Sequence, residues 1–238
     1  MARLPLFLFF AAAALAQPNL RQYGVGAPLI QNKPVSIEFS SETVQTLADG
    51  NRITRKYTTK QFRDSQGRVR RESGIGSSDE HLWNVTVQDP VAHLYLAWNT
   101  RDEIVTRTVL PGVVNLTPDP PKVRLLPVAV AQSRTEQLGT RIIQGFECQG
   151  TRHTMLLPPG HSGNERAIET INESWYSRDL NLTLEMTSSD PRIGATSSRV
   201  TKIDRAEPAA ALFAAPEGYK VAVLDLRDLP LEGLVKKP

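Results

Sequence analysis

Cysteine is almost missing from these 238 residues: Cys148 stands alone. One thiol excludes an intramolecular disulfide framework and any zinc site built from four cysteines. Aromatic residues make up only 6% of the chain and histidines number four. Stacking platforms for nucleic-acid bases and histidine-rich metal sites are therefore poorly supplied. The sequence holds no glycine-rich phosphate loop, dinucleotide fingerprint or catalytic-triad motif. Beyond the N-terminus no apolar run approaches the ~20 residues that a membrane-spanning helix needs. With 40% hydrophobic and 22% charged residues, the chain is neither a disordered polymer nor a polytopic membrane protein.

What is present begins with an export signal. Met1-Ala2-Arg3 gives a positive start, Leu4 to Ala13 a short apolar stretch broken only by Pro5, and Ala14-Leu15-Ala16 an A-x-A end. This pattern predicts a secretory signal peptide over residues 1–16, cleaved after Ala16. No cysteine stands at that site to carry a lipid anchor, so the mature chain is expected to be periplasmic or extracellular without transmembrane insertion. Cys148 has no partner in the chain and reads as a small buried hydrophobe on a strand. Sequons at Asn84, Asn115, Asn172 and Asn181 matter only in a host that glycosylates.

Residues 17–33, with Pro18, Gly24, Gly26 and Pro28 and no periodicity, read as a flexible lead. Strand signals follow. Val35, Ile37 and Phe39 alternate with polar residues, and the run continues to Leu47, where Ala48-Asp49-Gly50-Asn51 turns the chain into Arg52 to Lys60. Asp64-Ser65-Gln66-Gly67 marks a second turn before Arg68 to Glu72. Further strands are predicted over 82–88, 91–99, 103–110, 137–143, 147–156, 168–177, 182–187, 195–206 and 219–226. In the strand from residue 182, Leu182, Leu184 and Met186 are expected to share a face. Helical turns are expected near Val128 to Gln132 and in the alanine-rich stretch Glu207 to Ala215. The reading is thus one β domain over 34–226. It comprises a first set of strands (34–110), a Pro-rich connection or lid (111–133) and a second set (134–226), followed by a loose tail (227–238). Short strands joined by tight turns predict a mainly β, antiparallel meander forming a strongly curved sheet or incomplete barrel. A closed barrel and a two-layer sandwich stay open.

Several stretches carry a family resemblance. Gln45-Thr46-Leu47-Ala48-Asp49-Gly50-Asn51-Arg52-Ile53 runs on to Arg63-Asp64-Ser65-Gln66-Gly67-Arg68. Val87-Gln88-Asp89-Pro90, Gly163-Asn164-Glu165-Arg166 and Glu173-Ser174-Trp175-Tyr176-Ser177 follow in order. Together they resemble a family of predicted exported proteins of soil Acidobacteria. That resemblance implies export from a bacterial cell and brings no activity, cofactor or site residue. The strand-rich plan also resembles the curved sheet of periplasmic lipoprotein carriers, whose concave face holds acyl chains under a lid. Those carriers begin with a helix, where this chain has Gly24, Gly26 and Pro28.

Charge is concentrated in one place. Arg52, Arg55, Lys56, Lys60, Arg63, Arg68, Arg70 and Arg71 fall within twenty residues against a single acid, Asp64. On paired strands they would form a cationic ribbon able to concentrate anionic lipid or an acidic envelope polymer, or a sheet edge guarded by charge. Trp83, Trp98 and Trp175 lie in alternating strands and are candidates for an apolar face, as core or as pocket lining. Cys148 and His153, five residues apart, would face opposite sides of a regular strand and so make no thiol–base pair. Gly160-His161-Ser162-Gly163 lacks the spacing of a serine elbow and reads as a turn. His81 and His93 lack a third ligand for a metal. Asp89-Pro90 and Asp190-Pro191 read as turn starts rather than acid–base carboxylates.

These observations favour a non-catalytic binding module for an amphiphilic or anionic envelope component, with no cofactor, no metal and no nucleic-acid partner. Two alternatives stay open. One is a structural or assembly protein that binds another envelope protein; the other is a hydrolase with an unrecognised site.

Overall fold

The computed structural model describes residues 29–74, 83–111 and 131–227. The expected signal peptide, residues 17–28 of the lead, His81, residues 112–130 of the Pro-rich connection and the tail beyond Arg227 lie outside the described residues. Within them run twelve strands. The first six are β1 (Val35–Thr46), β2 (Arg52–Arg63), β3 (Val69–Gly74), β4 (Trp83–Asp89), β5 (Leu94–Asn99) and β6 (Ile104–Val109). The second six are β7 (Gln132–Ile143), β8 (Phe146–Leu157), β9 (Ile168–Ser177), β10 (Leu182–Asp190), β11 (Gly194–Asp204) and β12 (Lys220–Asp225). They form a single sheet of order β12-β6-β5-β4-β3-β2-β1-β11-β10-β9-β8-β7. Neighbours are antiparallel except β12, which lies parallel to β6. The sheet stays open, with β12 and β7 as its edges, so the expected unclosed antiparallel meander is the fold and a closed barrel is not. The one helical element among the described residues is a 3-10 turn, Ala210–Phe213, within the alanine-rich stretch.

Turn chemistry sets the meander. Gln144 and Gly145 both take positive φ, 49° and 83°, as a two-residue hairpin requires to match the strand twist. Asp89 accepts hydrogen bonds from the amides of Val91 and Ala92 at 3.0 and 2.8 Å. That capture extends the turn to His93, so residues 91–93, expected in a strand, belong to the turn instead. Asp190 repeats the device on the Arg192 amide at 2.9 Å, and the turn ends at Gly194, φ 104°.

Alternation within this register assigns every strand side chain to one of two faces. One face carries Ser41, Gln61, Arg71 and Thr86, linked across β1 to β4 by the pairings of β2 with its neighbours. We call it the hydroxyl face, because Ser41 donates to Ser198 at 2.9 Å and Thr43 lies 3.1 Å from Thr196 on it. The opposite face carries Glu42, Lys60, Glu72 and Val85.

Two apolar clusters hold the sheet. On the face opposite the hydroxyls, buried Val85, Val87, Trp98 and Val105 are covered by Phe213, with Phe62, Trp83, Leu96 and Leu212 around them. The segment between β11 and β12 therefore crosses that face and seals it. Arg70 donates to the Leu212 carbonyl at 2.8 Å, and Glu207 accepts from the Ser65 amide and hydroxyl. The second cluster gathers where β1 and β10 begin and β11 ends: Val35, Ile37, Val200, Leu180, Leu184 and Cys148.

Three expectations are corrected here. Strand β7 starts at Gln132, five residues before Gln137, so Gln132 is extended rather than helical; residues 128–130 lie outside the described residues. A register shift between Gln137 and Gly139 had masked the earlier half of that strand in the sequence. A bulge between Thr183 and Glu185 breaks the alternation of β10, so Leu184 is buried while Met186 is exposed, and the three side chains do not share a face.

A Cβ at Gly194 would collide with the Val44 carbonyl oxygen, which is backbone and cannot yield. Gly160 has a similar positive φ with open space around it. Gly194→Ala is expected to lower unfolding free energy by roughly 3 kcal/mol and Gly160→Ala by about 1 kcal/mol, as read from urea denaturation.

Candidate functional site

The eight clustered cations separate by parity. Arg52, Lys56, Lys60 and Arg70 lie on the face opposite the hydroxyls, with Arg68 entering β3 on the same side. Most of them are engaged. Lys56 is 3.5 Å from Glu42, Arg68 is 2.6 Å from Asp64, and Arg70 is 2.6 Å from Glu72. Lys60 sits 5.0 Å from the Trp83 ring centre, Arg68 4.8 Å from Phe213 and Arg70 5.2 Å from Trp98. These cations grip the crossing segment and the tryptophans beneath it through ring faces as well as carboxylates.

Arg55, Arg63 and Arg71 lie on the hydroxyl face. Arg63 is 2% exposed and works inside the fold, donating through Nε to the Lys33 carbonyl at 2.9 Å and through Nη2 to the Leu180 carbonyl at 2.5 Å. Burial lowers its pKa, with Tyr176 opposing the shift, and a guanidinium remains charged at neutral pH all the same. Arg55 and Arg71 are exposed. Arg71 donates to Gln61 Oε1 at 3.1 Å, and neither arginine meets a carboxylate among the described residues. Desolvation by the surrounding protein lowers the Arg71 pKa while Tyr95 opposes it. Gln61, Thr86 and Tyr95, which flank Arg71, were not singled out from sequence; counting outward from the Asp64-Ser65-Gln66-Gly67 turn would have placed Gln61 beside it.

Carboxylates divide as sharply. Glu38, Glu42, Glu72, Glu136, Glu173 and Glu185 all fall on the face opposite the hydroxyls. There they pair: Arg152 with Glu173 at 2.6 Å, and Arg141 with Glu185 at 2.8 Å, the Arg141 guanidinium also lying 3.9 Å from the Trp175 ring centre. On the hydroxyl face the strand carboxylates are Glu147, near the start of β8, and Asp190, at the end of β10 beside Arg192. Over β1 to β6 the hydroxyl face has no carboxylate among the described residues.

Trp83 and Trp98 come together in the cluster under Phe213, whereas Trp175 belongs to the other cluster. Cys148 is buried with no second cysteine, and burial pushes its thiol pKa up, against Arg141. His153 lies on the opposite face of the same strand, which pairs with β9 without a break, so no thiol–base pair forms. His161 and Ser162 sit in a turn organised by Asn164, whose side chain accepts from the Ser162 amide and donates to the carbonyls of Pro158 and Arg166. Among the described residues no group of three or more histidine, cysteine or acidic side chains is placed to hold a metal. No helix among them is long and apolar enough to cross a membrane.

No family model matches the chain, and no curated protein matches it. Solved structures with related shapes exist at low identity. An uncharacterized conserved protein from Thermus thermophilus is 11% identical, with 80% of this chain and 90% of that one covered, at a TM-score of 0.46. The Pseudomonas aeruginosa MucA/MucB complex gives 13% identity over 81% of this chain and 59% of that chain, at a TM-score of 0.42. A LolA superfamily protein from Nitrosomonas europaea gives 9% identity over 81% and 93%, at a TM-score of 0.32.

The two arginine roles separate experimentally. Arg63→Met strands two carbonyls and should cost roughly 2–4 kcal/mol of stability, whereas Arg71→Gln should change it by less than about 0.5 kcal/mol. Equal effects in chemical denaturation would contradict this division.

Proposed function

We propose that the chain is an exported, non-catalytic binding module that holds an anionic or amphiphilic envelope component against its hydroxyl face. One observation carries the reading: over β1 to β6 that face bears two exposed arginines without carboxylate partners and no acid to repel an anion. Guanidinium forks match phosphate and carboxylate oxygens in two-point contacts, and hydroxyl and amide neighbours supply neutral hydrogen bonds around them. The Trp83 and Trp98 face is already filled by Phe213, so an acyl tail would have to displace the crossing segment to lie there. Headgroup recognition therefore supports the reading better than tail burial does.

A second reading, strand addition by an extended segment of another envelope protein, draws on the β12 edge. All six of its residues are exposed, among them Val221, Val223 and Leu224, while its charges stand only at its ends. By contrast, the β7 edge is guarded by Arg134, Glu136 and Arg141 and by a bulge.

The mature chain should cosediment with phosphatidylglycerol vesicles or bind soluble polyanions, and retain little on phosphatidylcholine vesicles, with affinity falling as salt rises. Arg55→Gln with Arg71→Gln should remove most of that binding, and Arg52→Gln on the other face should spare it. Binding to none of the anionic probes would sink the proposal.

A further inference from the structure

The two arginines without carboxylate partners stand far apart. Arg71 pairs across the strands with Gln61, and Gln61 lies six residues along β2 from Arg55. At about 3.3 Å per residue the two cations are separated by about 20 Å. That distance is about twice the screening length of ~10 Å at moderate salt, so each arginine attracts an anion on its own. Between them on the same face run Tyr57 and Thr59, with Ser73 and Thr86 beside Arg71. Tyr57 is 38% exposed and offers a ring face; the rest offer hydroxyls. The stretch holds no carboxylate on β1 to β4 among the described residues, and Phe39 and Ile37 stand across from Thr59 and Gln61 on the β1 side.

A single lipid headgroup meets one arginine and leaves the other idle. A chain of sugars that repeats its carboxylates meets both, and presents hydroxyls to the threonines and ring faces to the tyrosine in between. We infer that the ligand is an acidic polysaccharide, bound extended along β2 with its carboxylates on Arg55 and Arg71. This rests on the hydroxyl face being the anion site. Two linked contacts then bind as one, because engaging the first raises the local concentration of the second.

The probes are trigalacturonate, too short to span both arginines, and dodecagalacturonate, long enough to do so, titrated into the mature chain by calorimetry. The longer oligomer should bind at least about tenfold more tightly. Arg55→Gln and Arg71→Gln, made singly, should each bring it close to the affinity of the trimer, with circular dichroism and melting unchanged. Equal affinity for both lengths, or a length dependence that survives either substitution, overturns the inference. Binding of phosphatidylglycerol vesicles without binding of either galacturonate also overturns it, while leaving the anion-binding reading intact. Failure of every anionic probe overturns both.

Discussion

Side chains in a paired strand have two directions available, and a hydrogen-bonded register shared across twelve strands makes that choice common to the whole sheet. A position two residues away joins the same face, and a neighbour joins the other. The ladder of β2 with β1 and β3 runs without a shift, so the cations at 52, 56 and 60 are bound to one face and those at 55, 63 and 71 to the other. Everything that distinguishes the two surfaces follows from this sorting. One side gains carboxylates that neutralise its cations and aromatic rings that receive them. The other side keeps hydroxyls, amides and two cations without carboxylate partners, beside the buried Val35, Ile37, Val200 and Arg63.

Apolar packing occurs on both sides: the cluster under Phe213 lies on the carboxylate side, whereas Val35, Ile37 and Val200 of the second cluster lie on the hydroxyl side. Alternating Val85 and Val87 meet Leu96 and Trp98 across β4 and β5, and the segment after β11 lays Phe213 over them. Asp64, itself buried, accepts from the amides of Gln66 and Arg68, and so fixes the β2–β3 turn that Glu207 holds from the crossing segment. Gly67 lets the Leu29 side chain and the Ile30 carbonyl approach that turn, where a Cβ would stand 2.6 Å from Leu29. The turn is thus a junction of three distant stretches of chain.

Much of this was legible in the residues alone. Strand β9 was read from Ile168 to Ser177 with its observed limits, and the Asp-Gly and Asp-Pro pairs located turns, because their chemistry acts within a few residues. What escaped was decided across strands. The bulge in β10 that separates Leu184 from Met186 exists only against β9, and the early half of β7, from Gln132 to Glu136, gains strand character by pairing with β8. The cationic cluster was plain as a composition, but its division depended on counting parity through a turn and into β3. Arg63 resembled its neighbours in sequence, and only the approach of Lys33 and Leu180 sets it apart as a buried brace.

The order of strands also bears on how the chain reaches its fold. Strands β1 to β6 and β7 to β11 can each zip through local hairpins, whereas two seams join residues far apart: Ser36 with Asp204, and Ile104 with Lys220. Such closures carry the largest loop entropy and form slowly. The parallel seam lies at the C-terminal end of the described chain, and the Phe213 crossing is tied to it. An intermediate with both meanders built would therefore still expose Val85, Val87 and Trp98, making the last step of folding the one that protects the chain from aggregation.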